Sequence, residues 1–206
     1  MDQVHPTFTD ATLAPGLETV CPQIGKGAYG EVFKAIDPST NDMVAVKMLA
    51  CTENVGDFQF RFNQETTMQQ LCSPHPNVCG IRCISSGPAA RTRSIVMDYS
   101  DISLHEARKL QLAEPMLRCI AVQLLAGVQH MHGKSVVHRD IKPRNLLMDY
   151  TGLVRVTDFG LAGLVGPDLW FQDNPNYVVT DNYRPPDLLL KATSHGYVGW
   201  AAALLF

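Results

Sequence analysis

The stretch VHRDIKPRN, residues 137–145, places an acid, basic side chains and a carboxamide within a few positions of one another. Asp140 and Lys142 are two residues apart, and Asn145 follows three residues later. The stretch comes directly after a long segment with helical apolar periodicity, and solubility alone does not require such a combination at a helix end. We therefore take it as a candidate catalytic loop, whose reaction must be inferred from the other motifs of the chain.

Two further motifs indicate phosphate and metal chemistry. GKGAYGEV, residues 25–32, lies between two predicted strands, and its glycines let the backbone fold tightly over phosphates without Cβ atoms in the way. Taken alone, a simple glycine-rich hairpin accounts for it about as well. Asp158-Phe159-Gly160 follows the strand-like run 153–157, and an aspartate at a strand end suits Mg²⁺, which prefers one or two carboxylates together with phosphate oxygens. A plain turn is the alternative for this second motif.

A lysine inside an apolar strand and a glutamate on an apolar helix face form a candidate pair. Lys47 lies in the β-rich run 43–49, from which it could also simply reach solvent at a strand edge. Glu65 lies on the same helical stripe as Phe58 and Phe62. It is either a charge at the boundary of the stripe or a buried carboxylate with a cationic partner, because an unpaired buried charge is costly. A Lys47–Glu65 pair would hold the lysine against phosphate oxygens.

Apolar periodicity and turn residues predict a β-rich first half and a mostly helical second half. The strands and apolar runs are predicted at 17–24, 31–35, 43–49, 78–85 and 94–99, with turns at 25–30 and 37–42. A first helix is predicted over 57–72. A longer helix is predicted from Pro115 to Gly133, with an apolar stripe made by Met116, Ile120, Leu124, Val128 and Met131. The segment 98–101 is the expected junction between two lobes.

Length and composition bound the class of protein. The 206 residues, 46% of them hydrophobic and 18% charged, suffice for one domain of ordinary size or two small lobes that share a cleft. A net charge of -3 gives no sign of a surface for nucleic acid or for an anionic membrane. Residues 1–16 are polar and predict a flexible segment rather than a signal peptide, and the apolar run WAAALLF is too short to cross a bilayer.

The six cysteines include no CxxC pair. Free thiols in a reducing compartment therefore account for them better than zinc sites or disulfides. We expect a cytoplasmic or nuclear protein on this basis.

Five motifs appear in the order glycine-rich loop, VAVK, helix glutamate, HRDxKPxN and DFG, which is the signature set of protein kinases. The chain resembles a eukaryotic protein kinase from about Leu17 to Leu190. The resemblance implies an α+β, two-lobed kinase fold, with a β-rich N-lobe containing one helix over residues 17–98, a hinge at 98–101 and a mostly helical C-lobe over 102–206. Kinases continue with further helices, so the resemblance also implies a C-terminally truncated, incomplete C-lobe.

The resemblance assigns catalytic roles by position. Asp140 would accept or orient the proton of a substrate hydroxyl, and Lys142, which is the serine/threonine-kinase pattern at this place, would steady the transferring phosphoryl group. Asn145 and Asp158 would hold Mg²⁺, which neutralises the charge that develops on phosphate oxygens. Thr180 would brace Asp140 and Lys142.

ATP is the phosphate donor that the resemblance implies. Lys47, fixed by Glu65, would hold the α- and β-phosphates, while the adenine would lie between apolar side chains and hydrogen-bond the backbone of the hinge. The expected nucleotide-binding residues are Ile24, Gly25, Lys26, Gly27, Ala28, Tyr29, Gly30, Val32, Ala45, Lys47, Glu65, Met97, Asp98, Ser100, Leu147 and Asp158.

Within the kinases, the chain is most similar to the CMGC group. Residues 177–187, YVVTDNYRPPD, resemble the corresponding stretch of mitogen-activated protein kinases and that of the cyclin-dependent kinases, which we place second. Leu104-His105 and Glu114-Pro115 also suit the extracellular-signal-regulated kinases. The resemblance implies protein substrates whose Ser or Thr is followed by Pro, and it implies neither a nucleic-acid nor a membrane partner.

The chain also departs from the family pattern. Residues 158–179 contain no Ser or Thr, and the family's Thr-x-Tyr pair appears as Pro175-Asn176-Tyr177, so an upstream kinase would act on Tyr177. Asp173 could supply one negative charge in place of a phosphothreonine. Position 69, usually apolar, is Gln69, with a small register shift that brings Met68 inward as the alternative.

Two other functions stay open at this point. A kinase-like module could bind a nucleotide or a partner with little or no transfer, and the truncation of the C-lobe favours it. The intact set of Lys47, Asp140, Asn145 and Asp158 favours the active enzyme instead. A small-molecule phosphotransferase is disfavoured by Lys142 and by the peptide-binding signature at 183–187.

Overall fold

The computed structural model describes residues 18–27, 30–51, 54–86 and 92–164. The chain divides into two compact units. Unit 1 comprises Met1–Asn63 and Gly80–Tyr99, and unit 2 comprises Gln64–Cys79 and Ser100–Phe206. Within the part of the chain that the structure describes, no helix is both long and apolar enough to cross a membrane.

Unit 1 is built on a five-stranded antiparallel sheet. Its strands are β1 (Glu18–Gly27), β2 (Gly30–Asp37), β3 (Asp42–Ala50), β4 (Ile81–Ser86) and β5 (Thr92–Asp98), in the spatial order β1-β2-β3-β5-β4. The polar turn predicted between β2 and β3 is confirmed, and the carboxylate of Asp37 accepts the backbone N–H of Ser39 in it, at 2.9 Å. Asn41 adopts a left-handed conformation there (φ 58°), which asparagine tolerates better than most residues.

One face of this sheet is an apolar core. Side chains alternate between the two faces of a strand, so every second residue of β3 points the same way. The residues buried together on this face are Ala35, Val44, Val46, Met48 and Val96, with Phe33 packed against them. The opposite face of the sheet therefore carries Lys47 and its cross-strand partners on β2 and β5.

Helix α1 (Val55–Leu71) begins and ends close to the predicted bounds of 57–72. Asn54 precedes it, and its side-chain oxygen accepts the backbone N–H of Gly56 at 2.7 Å, which satisfies one of the unpaired donors of the first turn. Phe62 is buried, with the guanidinium of Arg93 over its ring at 5.5 Å. The later turns of α1 belong to unit 2, where Met68 enters the core.

Unit 2 combines helices with short strands. Its helices are α2 (Leu104–Ala107) and α3 (Glu114–Gly133), and its strands are β6 (Ile102–Ser103), β7 (Val136–Val137), β8 (Leu146–Met148), β9 (Val154–Val156) and β10 (Gly163–Leu164). Strands β6, β8 and β9 form one sheet, and β10 pairs with β7 in another. Single 3-10 turns cover Arg108–Leu110, Pro143–Asn145 and Phe159–Leu161.

Helix α3 supplies the centre of the core of unit 2. The predicted stripe is confirmed for Ile120, Leu124, Val128 and Met131, all of which are buried. Met116 does not belong to it, because residues 114–119 are exposed throughout and the packed part of the helix begins at Ile120. Apolar periodicity identifies a helix face, but it does not tell how far the packing partners extend along that face.

The loop before β4 connects α3 to β9. The side-chain nitrogen of Asn77 donates to Gln123 of α3 at 3.1 Å and to the carbonyl of Val154 in β9 at 2.8 Å. A Cβ atom on Gly127 would lie 2.9 Å from the carbonyl oxygen of Asn77, so glycine is required for this close approach. These contacts position β9, which leads directly to Asp158.

Candidate active site

The candidate catalytic loop follows α3 and β7 and is organised around one carboxylate. Lys142 Nζ lies 2.7 Å from Asp140 Oδ2, and Asn145 Nδ2 donates to the same oxygen at 2.9 Å and to the backbone oxygen of Asp140 at 2.9 Å. Asp140 and Asn145 are 7% and 5% exposed. Such low exposure makes these charge-assisted hydrogen bonds strong and orients all three side chains. The structure thus brings together the three residues that the sequence placed in this loop.

His138 ties the loop to the strand that precedes the DFG motif. Its Nε2 lies 3.0 Å from the carbonyl oxygen of Thr157, and its Nδ1 accepts the backbone N–H of Asp140 at 3.2 Å. Because a carbonyl only accepts and a backbone N–H only donates, these partners require a neutral imidazole with its hydrogen on Nε2. Burial lowers the pKa of His138, which favours the same neutral form.

Two further contacts join the catalytic loop to the DFG motif. The backbone N–H of Thr157 donates to the carbonyl of Asn145 at 2.9 Å. The ring of Phe159 packs edge-on against His138, with the ring centroids 4.9 Å apart, and Phe159 is fully buried. The two motifs are therefore one connected structure within unit 2, although 12 residues of sequence separate Asn145 from Asp158.

One residue of the catalytic loop and one of the DFG motif have left-handed backbones. Arg139 (φ 66°) directly precedes Asp140, and Asp158 (φ 67°) begins the 3-10 turn of the DFG motif. The conformation costs a residue with a side chain roughly 1–2 kcal/mol, so the surrounding contacts must enforce it. Sequence reasoning did not foresee this geometry.

The second half of α1 brings a buried carboxylate to the DFG segment. Glu65 is 5% exposed, which supports the buried alternative over a boundary charge. A Cβ atom on Gly160 would lie 3.7 Å from Glu65 Oε2 and 3.6 Å from Asp158 Oδ1. Next to Glu65, Gln64 Nε2 donates to the carbonyl of Ala162 at 3.0 Å. Unit 2 thus gathers two of the predicted acidic site residues around Gly160.

Gln69, the departure from the apolar pattern of α1, is accommodated by a hydrogen bond. Its side chain is 1% exposed, and its Nε2 donates to the carbonyl of Cys79 at 2.8 Å. Met68 also packs into the core of unit 2. A buried amide with a partner of this kind costs little, whereas an unpartnered one would cost a few kcal/mol. The core of unit 2 therefore contains both residues.

In unit 1, four of the expected nucleotide-binding side chains share one face of the sheet. Val32 pairs with Lys47 across β2 and β3, and Ala45 pairs with Met97 across β3 and β5. Directly opposed residues point to the same face, and Ala45 and Lys47 are two residues apart on one strand. Gly25 continues the row on β1, where it pairs with Val32.

The predicted turn at 25–30 needs a correction, because β1 continues to Gly27 and β2 begins at Gly30. The two strands run antiparallel, with Gly27 opposite Gly30. A Cβ atom on Gly30 would lie 2.2 Å from the carbonyl oxygen of Met48, whereas one on Gly25 would lie 3.6 Å from Val32. Glycine at position 30 is therefore required by packing between strands, in addition to any contact with phosphates.

The end of β5 is held by ionic contacts that the sequence did not reveal. Arg82 Nε lies 3.0 Å from Asp98 Oδ1, and its Nη1 lies 2.9 Å from Asp42 Oδ2. The other oxygen of Asp98 accepts the backbone N–H of Gly80 at 3.2 Å. Asp98, whose backbone is expected to bind the edge of the adenine, is thus held in place by its carboxylate within unit 1.

A second arginine anchors the part of the predicted hinge that belongs to unit 2. Arg155 Nη1 donates to Ser100 Oγ at 3.3 Å and to Asp149 Oδ2 at 2.9 Å. The backbone N–H of Asp101 donates to the carbonyl of Met148 at 3.1 Å. Leu147 lies opposite Arg155 in the pairing of β8 with β9. Arginine and lysine are common on exposed strands, so nothing in the sequence marked Arg82 or Arg155 as positioning residues.

The protein kinase domain family matches residues 19–204, which is most of the chain. The chain belongs to the protein kinase family. The catalytic loop and the DFG motif described above are two of the kinase motifs predicted from the sequence. Family membership confirms the predicted kinase fold.

Named relatives narrow the family. Extracellular signal-regulated kinase 2 of Dictyostelium discoideum is 35% identical over 182 residues, which cover 85% of this chain and 49% of the relative. Cyclin-dependent kinase C-2 C of Arabidopsis thaliana is 34% identical over 177 residues, 84% of this chain and 27% of the relative. Cyclin-dependent kinase 11A of Homo sapiens is 34% identical over 189 residues, 89% of this chain and 24% of the relative.

These relatives are CMGC kinases, so the predicted group is confirmed. The identities to the cyclin-dependent and the extracellular signal-regulated kinases are nearly equal and do not separate the two kinds. The kinase chain spans between about a quarter and about half of the length of these curated relatives.

The donor set of this kinase fits Mg²⁺. Asn145 uses its side-chain nitrogen on Asp140, which leaves the amide oxygen as the end available to a cation. Asp158 offers a carboxylate in the connected DFG motif. Among the described residues, no three His, Cys, Asp or Glu side chains form a metal-binding cluster. A sparse site of this kind suits Mg²⁺, which takes its remaining ligands from phosphates and water.

Several predicted features lie outside the described residues. They are Ala28, Tyr29, Asp173, the Pro175-Asn176-Tyr177 stretch, Thr180 and the signature at 183–187. Lys47 belongs to unit 1 and Glu65 to unit 2, and their pairing stays a prediction.

Proposed function

We propose that this chain is a serine/threonine protein kinase that transfers the γ-phosphate of ATP to protein hydroxyls. The observation that carries the proposal is the convergence of Lys142 Nζ and Asn145 Nδ2 on Asp140 Oδ2. A carboxylate, a cation and an amide oriented in this way serve phosphoryl transfer, in which catalysis consists mostly of positioning and charge stabilisation. Membership of the kinase family supports the same reaction.

Asp140 is the proton acceptor in this proposal. The substrate hydroxyl oxygen bonds to the γ-phosphorus while the bond from the γ-phosphorus to the β,γ-bridging oxygen breaks, and ADP leaves. The hydroxyl proton passes to the carboxylate of Asp140. The hydrogen bond from Asn145 and the ion pair with Lys142 hold that carboxylate in one orientation, so little reorganisation is needed when the substrate arrives.

The charges around the transferred group are balanced by Lys142 and the metal site. The ammonium of Lys142 lies 2.7 Å from Asp140 and can stabilise negative charge on the phosphoryl oxygens during transfer. Asn145 and Asp158 are the residues that would hold Mg²⁺, which when bound neutralises negative charge on the phosphates. His138 keeps the loop and the DFG motif in register through Thr157.

Unit 1 contributes the nucleotide contacts. The face that carries Val32, Ala45, Lys47 and Met97 offers apolar surface for adenine and the ammonium of Lys47 for the phosphates. Lys47, paired with Glu65, would hold the α- and β-phosphates, and the backbone at Asp98 would bind the adenine edge. These assignments rest on the kinase motifs and on the shared face of the sheet.

The finer proposal is a proline-directed kinase of the mitogen-activated type, with an upstream kinase that modifies Tyr177. The relative in Dictyostelium discoideum and the signature at 177–187 support it. We also place the protein in the cytoplasm or nucleus. Among the described cysteines, Cys72, Cys83 and Cys119 are free thiols, which supports a reducing compartment.

The test is transfer of labelled γ-phosphate from ATP to three matched peptides with Ser-Pro, Ser-Ala and Tyr-Pro at the acceptor position. The proposal predicts transfer to both serine peptides and none to the tyrosine peptide. The proline-directed form predicts a clear preference for Ser-Pro over Ser-Ala. Transfer that is equal for the two serine peptides would overturn the proline preference alone.

A thermal-shift measurement with ATP and Mg²⁺ accompanies the transfer assay. A kinase binds nucleotide in its folded state and is stabilised by it, since a ligand that binds only the native state raises Tm. Stabilisation without transfer to any peptide would support the nucleotide-binding module instead. If the protein shows no stabilisation by ATP and Mg²⁺ and no transfer to any peptide, both functions are refuted.

A further inference from the structure

Beside the catalytic loop, unit 2 presents a basic patch formed by His105, Arg108, Lys109 and Arg144. The first three lie on α2 and the 3-10 turn that follows it, and Arg144 lies in the 3-10 turn Pro143–Asn145. Helix α2 packs against that second turn. The catalytic mechanism above uses none of these four residues.

The patch is rigidly supported but open to solvent. Ala107 of α2 is fully buried in the core of unit 2, and Leu104 packs against the same core. The side chains of Arg108, Lys109 and Arg144 are exposed, while the next residue along the chain from Arg144, Asn145, is buried at the site. The cations therefore project from a fixed backbone.

No carboxylate among the described residues forms an ion pair with the three exposed cations. Glu106 is the acid nearest in sequence, and its Oε2 accepts the backbone N–H of Ser103 at 3.0 Å and the hydroxyl of Ser103 at 2.7 Å in a capping box. The hydrogen bond from the Ser103 side chain also lowers the pKa of Glu106. The charges of His105 and Lys109 lower that pKa as well, so Glu106 is one negative charge beside the patch. The three exposed cations outnumber it, and the patch keeps a net positive charge.

His105 reports the positive field of the patch. Desolvation lowers the pKa of His105, and the charges of Arg108, Arg144 and Lys109 lower it further, in that order, while the carboxylate of Glu106 raises it by a smaller amount. Cations on both structural elements therefore act on one imidazole. The four residues form a single electrostatic surface, even though Arg144 follows Arg108 by 36 positions of sequence.

The distance between Arg144 and the catalytic Asp140 limits which ligands the patch can bind. Arg144 follows Asp140 by four residues, and four residues of extended chain span at most about 14 Å. A bound peptide covers the same distance with about four residues in either direction from its acceptor. Side chains of a substrate near the acceptor can therefore reach Arg144.

We propose that this basic patch binds acidic side chains of the protein substrate, so that Asp or Glu residues within about four positions of the acceptor Ser or Thr increase its use. The inference rests on the proposed kinase function, and it adds a substrate preference to it. Complementary charge at an exposed rim acts mainly on encounter and register, which is what selection among peptides requires.

The test compares three Ser-Pro peptides that carry Asp, Ala or Lys at the flanking positions. We expect kcat/KM for the acidic peptide to exceed that for the neutral one about tenfold, with the basic peptide lowest, as attraction and repulsion at the rim predict. Raising the salt concentration from about 50 mM to about 500 mM should remove most of the difference, because exposed charges are screened.

Charge reversal locates the effect. Arg144→Glu should reduce the ratio of acidic to neutral kcat/KM to about one or below. Arg118→Glu is the matched control, because Arg118 is an exposed arginine of unit 2 on α3, where its ion pair is with Glu114, and the ratio should stay as in the wild type. An unchanged ratio in Arg144→Glu, or an equal loss in Arg118→Glu, would overturn the proposal.

Binding of fluorescent versions of the same peptides, followed by anisotropy, separates this inference from the kinase function. If no peptide is phosphorylated but the acidic peptide still binds more tightly than the neutral one in an Arg144-dependent way, the patch stands and the transferase proposal falls. Transfer with equal affinity for all three peptides overturns the patch alone. A preference confined to a phosphoserine-bearing peptide, or to an RNA oligonucleotide, would also overturn the acidic-residue proposal.

Discussion

The catalytic loop of unit 2 and the β1–β2 hairpin of unit 1 both carry kinase motifs, but they hold their residues in different ways. In the loop, side chains do the positioning, with Asp140 receiving hydrogen bonds from Lys142 and Asn145. In the hairpin, the backbone does it, through strand pairing that shifts register twice between Thr19 and Gly25. Glycine is required at position 30 of this hairpin, because an added Cβ atom would meet the carbonyl oxygen of Met48.

The difference explains how each region can fail. A network of buried polar groups is strong when every member has its partner and costly when one is removed. A strand pairing tolerates most side-chain changes and fails where an added atom meets backbone. Substitutions in the loop should therefore lower the rate of catalysis. In the hairpin, a substitution at Gly30 should lower the free energy of unfolding.

The largest effect is expected for Asp140→Ala. Loss of the proton acceptor should lower kcat about 10²- to 10⁴-fold, the usual contribution of a positioned general base. Stabilisation by ATP and Mg²⁺ in a thermal-shift assay should persist, because Asp140 is not a ligand of the nucleotide in this account. Asp57→Ala, at an exposed position in the first turn of α1, is the control and should keep its kcat. A kcat within about threefold of wild type in Asp140→Ala would refute the role of the loop.

In the hairpin, two glycine substitutions should differ sharply. Gly30→Ala places a Cβ atom where only 2.2 Å separates it from the Met48 carbonyl, and we expect a loss of roughly 1–3 kcal/mol in the free energy of unfolding. Gly25→Ala meets Val32 at an ordinary 3.6 Å and should be neutral or gain up to about 1 kcal/mol. Urea denaturation measures both. Equal losses would mean that the backbone approach at Gly30 is not what requires glycine.

Removal of His138 should weaken the dependence of stability on pH. Its pKa is lowered in the folded state by burial, so the neutral form favours folding. That contribution is fully present above the unfolded value of about 6.5 and is lost as the pH falls through the lower folded pKa. The wild type should therefore lose more unfolding free energy between about pH 7.5 and about pH 5.5 than His138→Leu does.

The same variant should also be less stable at neutral pH. His138→Leu leaves the Thr157 carbonyl and the Asp140 N–H without their partners, at a cost of roughly 1–3 kcal/mol for a buried group. His132→Leu is the matched control, because burial also lowers the pKa of His132 but its ring lies outside this network. An equal flattening of the pH dependence in both variants would count against a special role of His138.

The smallest effect is expected for Lys26→Ala in the hairpin. Lys26 Nζ lies 3.3 Å from Glu31 Oε1, but its side chain is 56% exposed. Ion pairs of this kind contribute about 0–1 kcal/mol, so the change in unfolding free energy should stay below about 1 kcal/mol. A larger loss in urea denaturation would show that the hairpin, like the loop, depends on its side chains.

The elements with strong periodicity could be predicted from the sequence. The bounds of α1 and α3 were nearly right, since apolar residues recur at helical spacing and Pro115 marks the start of α3. Two-residue strands such as β7 and β10 could not be predicted, because they are created by pairing between distant segments. Local propensity in two residues carries almost no information about such pairing.

The site was predictable in its residue types but not in its connections. The order of the motifs identified Asp140 and Asp158, yet the left-handed backbones at Arg139 and Asp158 arise from long-range packing. Arg155 looked like any charged residue of a strand, although it holds Ser100 and Asp149. Partners chosen by tertiary structure leave no local signal in a single sequence.

The most direct test of the central claim is transfer of labelled phosphate from ATP to a Ser-Pro peptide by wild type and by Asp158→Ala. The claim is that the catalytic loop and the DFG motif form one phosphoryl-transfer site, joined through His138 and Thr157. It predicts Mg²⁺-dependent transfer by the wild type and a loss of at least about 100-fold in the variant. Transfer by purified, folded wild type that does not exceed that of Asp158→Ala would contradict it.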